Sequence, residues 1–544
     1  MKMASVCIVD QLRMLHSSEL HASVVLLSGL AISITKNLNA FGPSQQYDIL
    51  VYSGDSFFAK KEYKRAEAAY RRALNVRKGV PKNTKSAQKE TNLSHVYFRI
   101  YECCMEEKNE DGALEALLNI EEKRRCSKVN YAIGKLYQAR QMRRNAINCY
   151  KEVLRECPLA LDCAIELLRL GEHPNVVISI MNVNGSVDWL PAYIKAHASV
   201  VNKEHTKSVV AFDALQKRVS LAGNPTVQYD LAIACYMADD HDSAMMHLKS
   251  LHRQERFWLR GMDLYASLLY DEKKAEELGK FSTELFAVSD LQPESWIALG
   301  YHALLNEDYT KAVYLAARAN QLDPFSVQAF LLKAAGLVGL GEVQTALSHS
   351  KEAISLAPHR LDCYAKLVSC YMSENRNNDA LTVAKSAFEA LGPSPGSYVL
   401  CALTMLPDSS VLDKAGKLVD RALTLDPKHK SAIETKCTIL YRQEKYSEAI
   451  KCLKLATQRF GSSALHCLLG DCYCKLSKLT DAVDHYSIAL SLNPCCVEAK
   501  DGLSRVSEAD RSDVFDAETG NSFETEESDR MTTGIAWPQE NPWF

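Results

Sequence analysis

The apolar residues of this chain recur with two superimposed periods. Within short segments they return every three to four residues, the spacing that places side chains on one face of an α-helix. A longer period becomes visible when the small residues are followed along the chain. Ala312, Ala346 and Ala380 are each 34 residues apart, and the series continues at Ala449 and Ala482. A fixed period of this length predicts a stack of helical repeats rather than one globular core.

Each clear copy of the repeat also carries a small residue earlier in the motif. Glycine precedes the alanine by twelve positions in four copies: Gly54 with Ala66, Gly134 with Ala146, Gly300 with Ala312, and Gly470 with Ala482. Small side chains at both positions allow two short antiparallel helices to approach closely where they cross. Trp296 is the large packing residue of its copy, and a proline near the end of a copy stops the second helix. One helical pair cannot bury its apolar face alone, so neighbouring pairs must stack.

This order of large, small and proline positions is that of the tetratricopeptide repeat. At roughly 34 residues per copy, it predicts an all-α superhelical solenoid of about thirteen helical pairs over residues 47–500. Residues 77–92 are rich in Lys, Asn, Ser and Thr and predict a flexible loop within it. Residues 1–46 predict one or two helices with an apolar face and no repeat motif.

The end of the chain has a different composition. Residues 501–544 are rich in Asp and Glu and predict an acidic disordered tail. The tail ends in Trp537, Trp543 and Phe544, which are either a short docking element or simply exposed aromatics.

Charge and cysteine usage restrict the function. The 544 residues include 64 basic and 67 acidic side chains, for a net charge of -3, which argues against nucleic acid as a partner. The 18 cysteines contain no C-x-x-C motif and read as small buried residues of a reducing compartment. The glycines between 336 and 341 follow the order G-x-x-G-x-G in a turn between helices, and no nucleotide or zinc motif occurs. We therefore expect no enzyme activity, no metal and no cofactor.

One apolar stretch near the start, residues 24–32, is too short to span a bilayer and does not follow the layout of a signal peptide. It predicts a helix that packs on a partner, without a membrane. Val24, Leu27, Leu30 and Ile34 are spaced to share one helical face, which we expect to contact that partner. The alternative is that they pack inside the first repeat of the same chain.

A long solenoid offers a concave groove lined by the first helix of each pair. A groove that captures a terminal carboxylate, as in co-chaperones, needs Lys, Arg and Asn on that face. The corresponding positions in the three repeats that begin at Pro293, Val327 and Leu361 include Glu294, Tyr301, Gln328 and Asp362, with Lys366 as their one basic residue. This composition favours packing against folded subunits, and a co-chaperone or adaptor that binds proteins through its groove is the second hypothesis.

Four stretches carry a more specific resemblance than the repeat pattern does: residues 150–162, 260–265, 357–364 and 486–492. Together with the acidic aromatic tail, they resemble the subunit 7 family of the anaphase-promoting complex, or cyclosome. The likeness extends over nearly the whole chain and departs from the family at residues 1–20 and in a shorter loop at 77–92.

The resemblance implies a non-catalytic scaffold of a multi-subunit ubiquitin ligase that controls mitosis and cell division. Members of that family form homodimers through their N-terminal helices and stack with sister repeat subunits, in the nucleus and cytoplasm. We therefore assign the face of Val24, Leu27, Leu30 and Ile34 to a homodimer interface. The assembly supports engagement of propeller-type coactivators and substrates, while catalysis belongs to other subunits.

Overall fold

The structure is a computed structural model, and it describes residues 2–38, 40–78, 87–182, 187–494 and 496–507. The chain forms two compact units, Met1–Val227 and Gln228–Phe544. No strand occurs within these described residues.

The helices up to the end of the first unit are short and follow one another closely. They are α1 (Lys2–Ser17), α2 (His21–Leu38), α3 (Pro43–Ala59), α4 (Tyr63–Lys78), α5 (Ala87–Glu106), α6 (Glu110–Leu118), α7 (Ser127–Ala139), α8 (Arg143–Glu156), α9 (Leu161–Arg169), α10 (Pro174–Met181), α11 (Leu190–Val201) and α12 (His205–Gln216). A 3₁₀ turn at Glu122–Arg124 joins α6 to α7.

The remaining helices continue the same arrangement. They are α13 (Pro225–Met237), α14 (His241–Gln254), α15 (Met262–Asp271), α16 (Ala275–Val288), α17 (Pro293–Leu305), α18 (Tyr309–Leu322), α19 (Val327–Gly339), α20 (Val343–Leu356), α21 (Leu361–Ser373), α22 (Asn377–Leu391), α23 (Pro395–Met405), α24 (Leu412–Leu425), α25 (Lys430–Arg442), α26 (Tyr446–Phe460), α27 (Ser463–Lys475) and α28 (Leu479–Leu492). A last helix, α29, covers 497–507. Between α3 and α28 the described helices form thirteen pairs, which confirms the predicted all-α repeat architecture.

The small residues of the repeat lie where the two helices of a pair cross. A Cβ atom on Gly54, Gly134 or Gly470 would come within 2.6, 2.8 or 2.7 Å of a tyrosine ring on the partner helix. Those three rings belong to Tyr70, Tyr150 and Tyr486, and all three are completely buried. In each of the three repeats, the tyrosine ring therefore fits only because the facing residue is glycine and has no side chain.

The other predicted packing positions are also inside the stack, with one difference. The seven alanines, which are Ala66, Ala146, Ala312, Ala346, Ala380, Ala449 and Ala482, are all 0% exposed. At Gly300 the neighbour is Leu332 from the next pair, because this copy has Ala316 where others have tyrosine. Trp296 is only half-buried: it packs edge-on against Phe286, with ring centroids 5.1 Å apart.

The tight turn inside a pair forces one residue into the left-handed region. Gly341 takes this position with φ +81°, whereas Asp239, Lys273, Glu307 and Asn375 adopt it at φ between +55° and +66°. These five positions are 34 residues apart. Residues other than glycine are strained in that region. Because four of the five positions nevertheless hold other residues, the packing of the two joined helices imposes the turn geometry.

Three predicted boundaries shift. The predicted flexible loop 77–92 is helical at both ends, because α4 continues to Lys78 and α5 begins at Ala87; residues 79–86 lie outside the described part. The first seven residues of the predicted tail, 501–507, belong to α29, because Leu503 and Val506 pack on the core of the last pair. The rest of the tail, including its aromatic end, also lies outside the described residues. The repeat begins at Pro43 rather than at residue 47.

Helix α2 contains the apolar stretch 24–32 and is longer than that stretch. It is the one described helix that is long and apolar enough, by length and composition, to cross a membrane. A helix that packs on a protein core passes the same test. Here Val24, Ser28 and Ala31 are buried on one side of α2, and the two apolar residues join a core with Leu12 of α1 and Ile49 of α3.

Candidate interaction surfaces

The four residues assigned to a dimer interface do not all lie at the surface. Val24 is 0% exposed, and Leu27 and Ile34 are partly buried against the core that α2 shares with α1 and α3. Leu30 is 64% exposed. The structure therefore places Val24 inside its own chain and leaves Leu30 free for a partner, while the dimer itself stays a prediction.

A second apolar side of α2 faces solvent. Leu26 is 73% exposed and lies one helical turn before Leu30, and Leu38 is 62% exposed at the end of the helix. Gly29 lies between Leu26 and Leu30, and no atom lies within 4 Å of the position its Cβ would occupy. We call Leu26, Gly29 and Leu30 the outer face of α2. Periodicity alone missed Leu26, because α2 carries apolar residues on both of its sides.

The first helices of the pairs in the second unit line its inner side with polar residues that bond to one another. The hydroxyl of Tyr301 donates to the side-chain oxygen of Gln328 at 2.9 Å. Gln328 is 2% exposed and Tyr301 is 5% exposed, so neither is free to read a ligand without rearrangement.

The same side of the second unit concentrates carboxylates. Burial raises the pKa of Glu294 to about 7, and the neighbouring Asp263 and Asp323 add to the rise. Burial also raises the pKa of Asp263. Carboxylates that already repel one another disfavour a further negative charge. The surroundings of Glu294 and Asp263 therefore disfavour a terminal carboxylate, and the nearby Arg360 is already paired with Asp362.

The described residues contain no group of three or more His, Cys, Asp or Glu side chains arranged to hold a metal ion. The cysteines among them are free thiols, and most are buried, in keeping with an apolar packing role.

Paired helices that cross at small residues and stack into arrays define a tetratricopeptide-type protein, a class whose surfaces bind other proteins. Comparison with known proteins gives the particular family. The chain is 32% identical to anaphase-promoting complex subunit 7 of Homo sapiens over 562 residues, covering 99% of each chain. It is 24% identical to subunit 7 of Arabidopsis thaliana over 526 residues, covering 91% of this chain and 93% of that one. The chain belongs to the anaphase-promoting complex subunit 7 family.

A family model and a solved structure match as well. A family model described as anaphase-promoting complex, cyclosome, subunit 3 matches residues 408–488. The fold is similar to a chain in the crystal structure of the APC/C hetero-tetramer Cut9-Hcn1, with a TM-score of 0.52, 16% identity, and coverage of 92% of this chain and 96% of that one.

Proposed function

We propose that this chain is a non-catalytic scaffold subunit of the anaphase-promoting complex, a ubiquitin ligase that controls mitotic progression. The observation that carries the proposal is full-length similarity to subunit 7, which includes the repeat array and the N-terminal helices. In this role the chain stacks with sister repeat subunits and supports engagement of propeller-type coactivators and substrates, in the nucleus and cytoplasm. The match of residues 408–488 to the subunit 3 family model relates this part of the array to a sister repeat subunit.

Co-expression with sister repeat subunits of the same organism tests the stacking. We expect the tagged chain to co-elute with subunit 3 on size-exclusion chromatography at micromolar concentration. The adaptor hypothesis is tested on the same preparation by titrating a chaperone C-terminal peptide, which should not bind the acidic inner side. Separate elution from subunit 3 together with tight peptide binding would replace the scaffold role by the adaptor role.

The scaffold includes a homodimer formed through the outer face of α2. Leu26 and Leu30 expose apolar surface on either side of Gly29, which has no side chain. The α2 helix of a second copy therefore has room to approach the backbone at Gly29 closely. Burial of apolar side chains in such a contact stabilises by about 1.5–3 kcal/mol each when complete. A second copy is the occupant that the family resemblance implies, and it gives this side of α2 the cover that its own chain does not.

Light scattering coupled to size exclusion tests the dimer. The parent chain should show twice the monomer mass of 60.7 kDa. The double change Leu26→Asp and Leu30→Asp should give the monomer mass, because both side chains point away from the chain's own core. Val210→Asp is the matched control, since Val210 is 68% exposed outside α2 and its change should leave the dimer intact. A Leu26, Leu30 variant that stays dimeric would place the interface elsewhere.

A further inference from the structure

Within the second unit, side chains from helices far apart in sequence bond directly to each other. Tyr236, at the end of α13, donates its hydroxyl to Asp362 at the start of α21, with an oxygen to oxygen distance of 2.7 Å. Asp239, two residues past α13, bonds to His429 at the start of α25 at 2.6 Å. These pairs are 126 and 190 residues apart. The stack of pairs in this unit therefore curves back until its early turns meet the first helices of later pairs.

The Asp239 contact is fixed from both sides. His429 is 6% exposed, and its Nδ1 accepts the backbone N–H of Ala432 at 3.1 Å as the cap of α25. That bond leaves Nε2 to donate to Asp239. His241 binds the other carboxylate oxygen at 2.9 Å. Burial by itself would raise the pKa of Asp239, but the bonds to His241 and His429 outweigh it and lower the pKa to about 2.

A glycine makes room for this approach. A Cβ atom on Gly396, near the start of α23, would clash with a carboxylate oxygen of Asp239 and with Leu361. Gly396 is buried, so the tip of the Asp239 side chain is in contact with the backbone of α23. The repeat motif does not require glycine here: the positions 34 residues before and after are Asp362 and Lys430. The glycine is explained by the long-range contact instead.

Two ion pairs flank the Asp239 contact. Arg360 holds Asp362 through two nitrogens, and its guanidinium lies 5.5 Å from the ring centre of Tyr236. Lys430, next to His429, pairs with Glu272 at the end of α15, 158 residues away. Both members of that pair are less than a third exposed. Bonds of this kind are shielded from solvent more than an ordinary surface ion pair.

We infer that these contacts form a clasp that locks the second unit into one closed superhelical coil and occupies the inner space between its early and late pairs. The early side of the clasp is Tyr236, Asp239 and Glu272, and the late side is Asp362, His429 and Lys430. An extended peptide can lie between these pairs only after the clasp opens. The second unit thus meets its partners as a preformed rigid body.

Charge exchange across the Glu272 and Lys430 pair tests the clasp in the full chain. The variants are Glu272→Lys, Lys430→Glu and the two together, and Lys428→Glu is the control because Lys428 is exposed two residues away. Hydrogen–deuterium exchange is measured at the turn after α13, where the backbone N–H of Asp240 donates to the carbonyl oxygen of Cys235. Positions 272 and 430 both lie outside that turn. The uncharged probe Gly396→Ala pushes directly on Asp239.

Glu272→Lys alone and Lys430→Glu alone should each speed hydrogen–deuterium exchange at that turn by about fivefold. The double variant should restore protection, because it re-forms the pair with the charges reversed. Gly396→Ala should speed exchange there as well, and Lys428→Glu should not. Unchanged exchange in the single variants, or a double variant that stays as fast as the singles, would overturn the clasp. The inference does not depend on the proposed assembly, because the isolated chain is measured and a failed clasp would leave co-elution with sister subunits unaffected.

Discussion

The crossing of α27 and α28 offers a sharp test of why the repeat needs its glycine. Gly470 faces the ring of Tyr486, and a Cβ there would lie 2.7 Å from Cε1, 2.8 Å from Cζ and 2.9 Å from Cδ1. Gly502 of α29 closes the other side of the ring, where a Cβ would lie 2.5 Å away. The hydroxyl of Tyr486 donates to Asp471 at 2.7 Å. The ring is held on both sides and at its tip, so it cannot swing away from an added methyl group.

The magnitude for Gly470→Ala follows from two opposing effects. Alanine favours a helix over glycine by about 1 kcal/mol, which would stabilise the variant. Over-packing a close crossing costs about 1–3 kcal/mol, and a ring that cannot move puts this site at the upper end. If Tyr486 shifts enough to lose its bond to Asp471, about 1 kcal/mol is lost in addition. The net expectation is a destabilisation of about 2–3 kcal/mol.

Urea unfolding is monitored through hydrogen exchange of the α27 and α28 amides. This measures the change in unfolding free energy locally, which is needed because the chain has two compact units. Gly416→Ala in α24 is the matched control, since the nearest atom to its Cβ is 4.0 Å away and the propensity gain should appear alone. Gly470→Ala should lose stability and Gly416→Ala should gain it. A Gly470→Ala variant as stable as the parent would refute the idea that the ring of Tyr486 fits only against glycine.

Two further predictions concern single residues of the second unit. The raised pKa of Glu294 means that the folded chain binds this proton more tightly than the unfolded chain, so its contribution to stability falls as pH rises from about 4.5 through about 7. Glu294→Gln should therefore be more stable than the parent by about 1–3 kcal/mol at pH 8 and nearly equal at pH 5 in thermal melts, and an equal difference at both pH values would contradict this. Gly341→Ala should lose about 1 kcal/mol, since its φ is +81° with open space around it, whereas Glu307→Gly at φ +62° should gain up to about 1 kcal/mol. Urea midpoints of the two variants should move in opposite directions, and movement in the same direction would exclude backbone strain as the cause.

The repeat architecture could be predicted from sequence because its determinants are local. Glycine and alanine at fixed separation, such as Gly134 and Ala146, specify a crossing within one pair, and each pair contacts mainly its neighbours. The acidic tail begins later in the structure than its composition predicts, because composition does not show which apolar residues near its start pack on the last pair. Asp501 opens the predicted tail, but Leu503 and Val506 keep helical spacing and pack on the core of the last pair.

The interaction surfaces were less predictable because they depend on more than one pair. In α2 the apolar residues occur on both sides, so spacing alone could not show that Val24 faces inward and Leu26 outward. The bond between Asp239 and His429 depends on the curvature summed over the pairs between them, which no local pattern contains. The one trace in the sequence is Gly396, a glycine at a position where the repeat does not need one.

The most direct test of the scaffold role is affinity purification of the tagged full chain, expressed at its native level, from mitotic cells of its own organism, with quantitative mass spectrometry of what co-purifies. We predict recovery of the sister repeat subunits together with the catalytic subunits of the anaphase-promoting complex, in fixed ratios and with two copies of this chain per assembly. Recovery of chaperones alone, or of no partner in fixed ratio, would contradict the scaffold role, while the repeat fold and the family membership would stand.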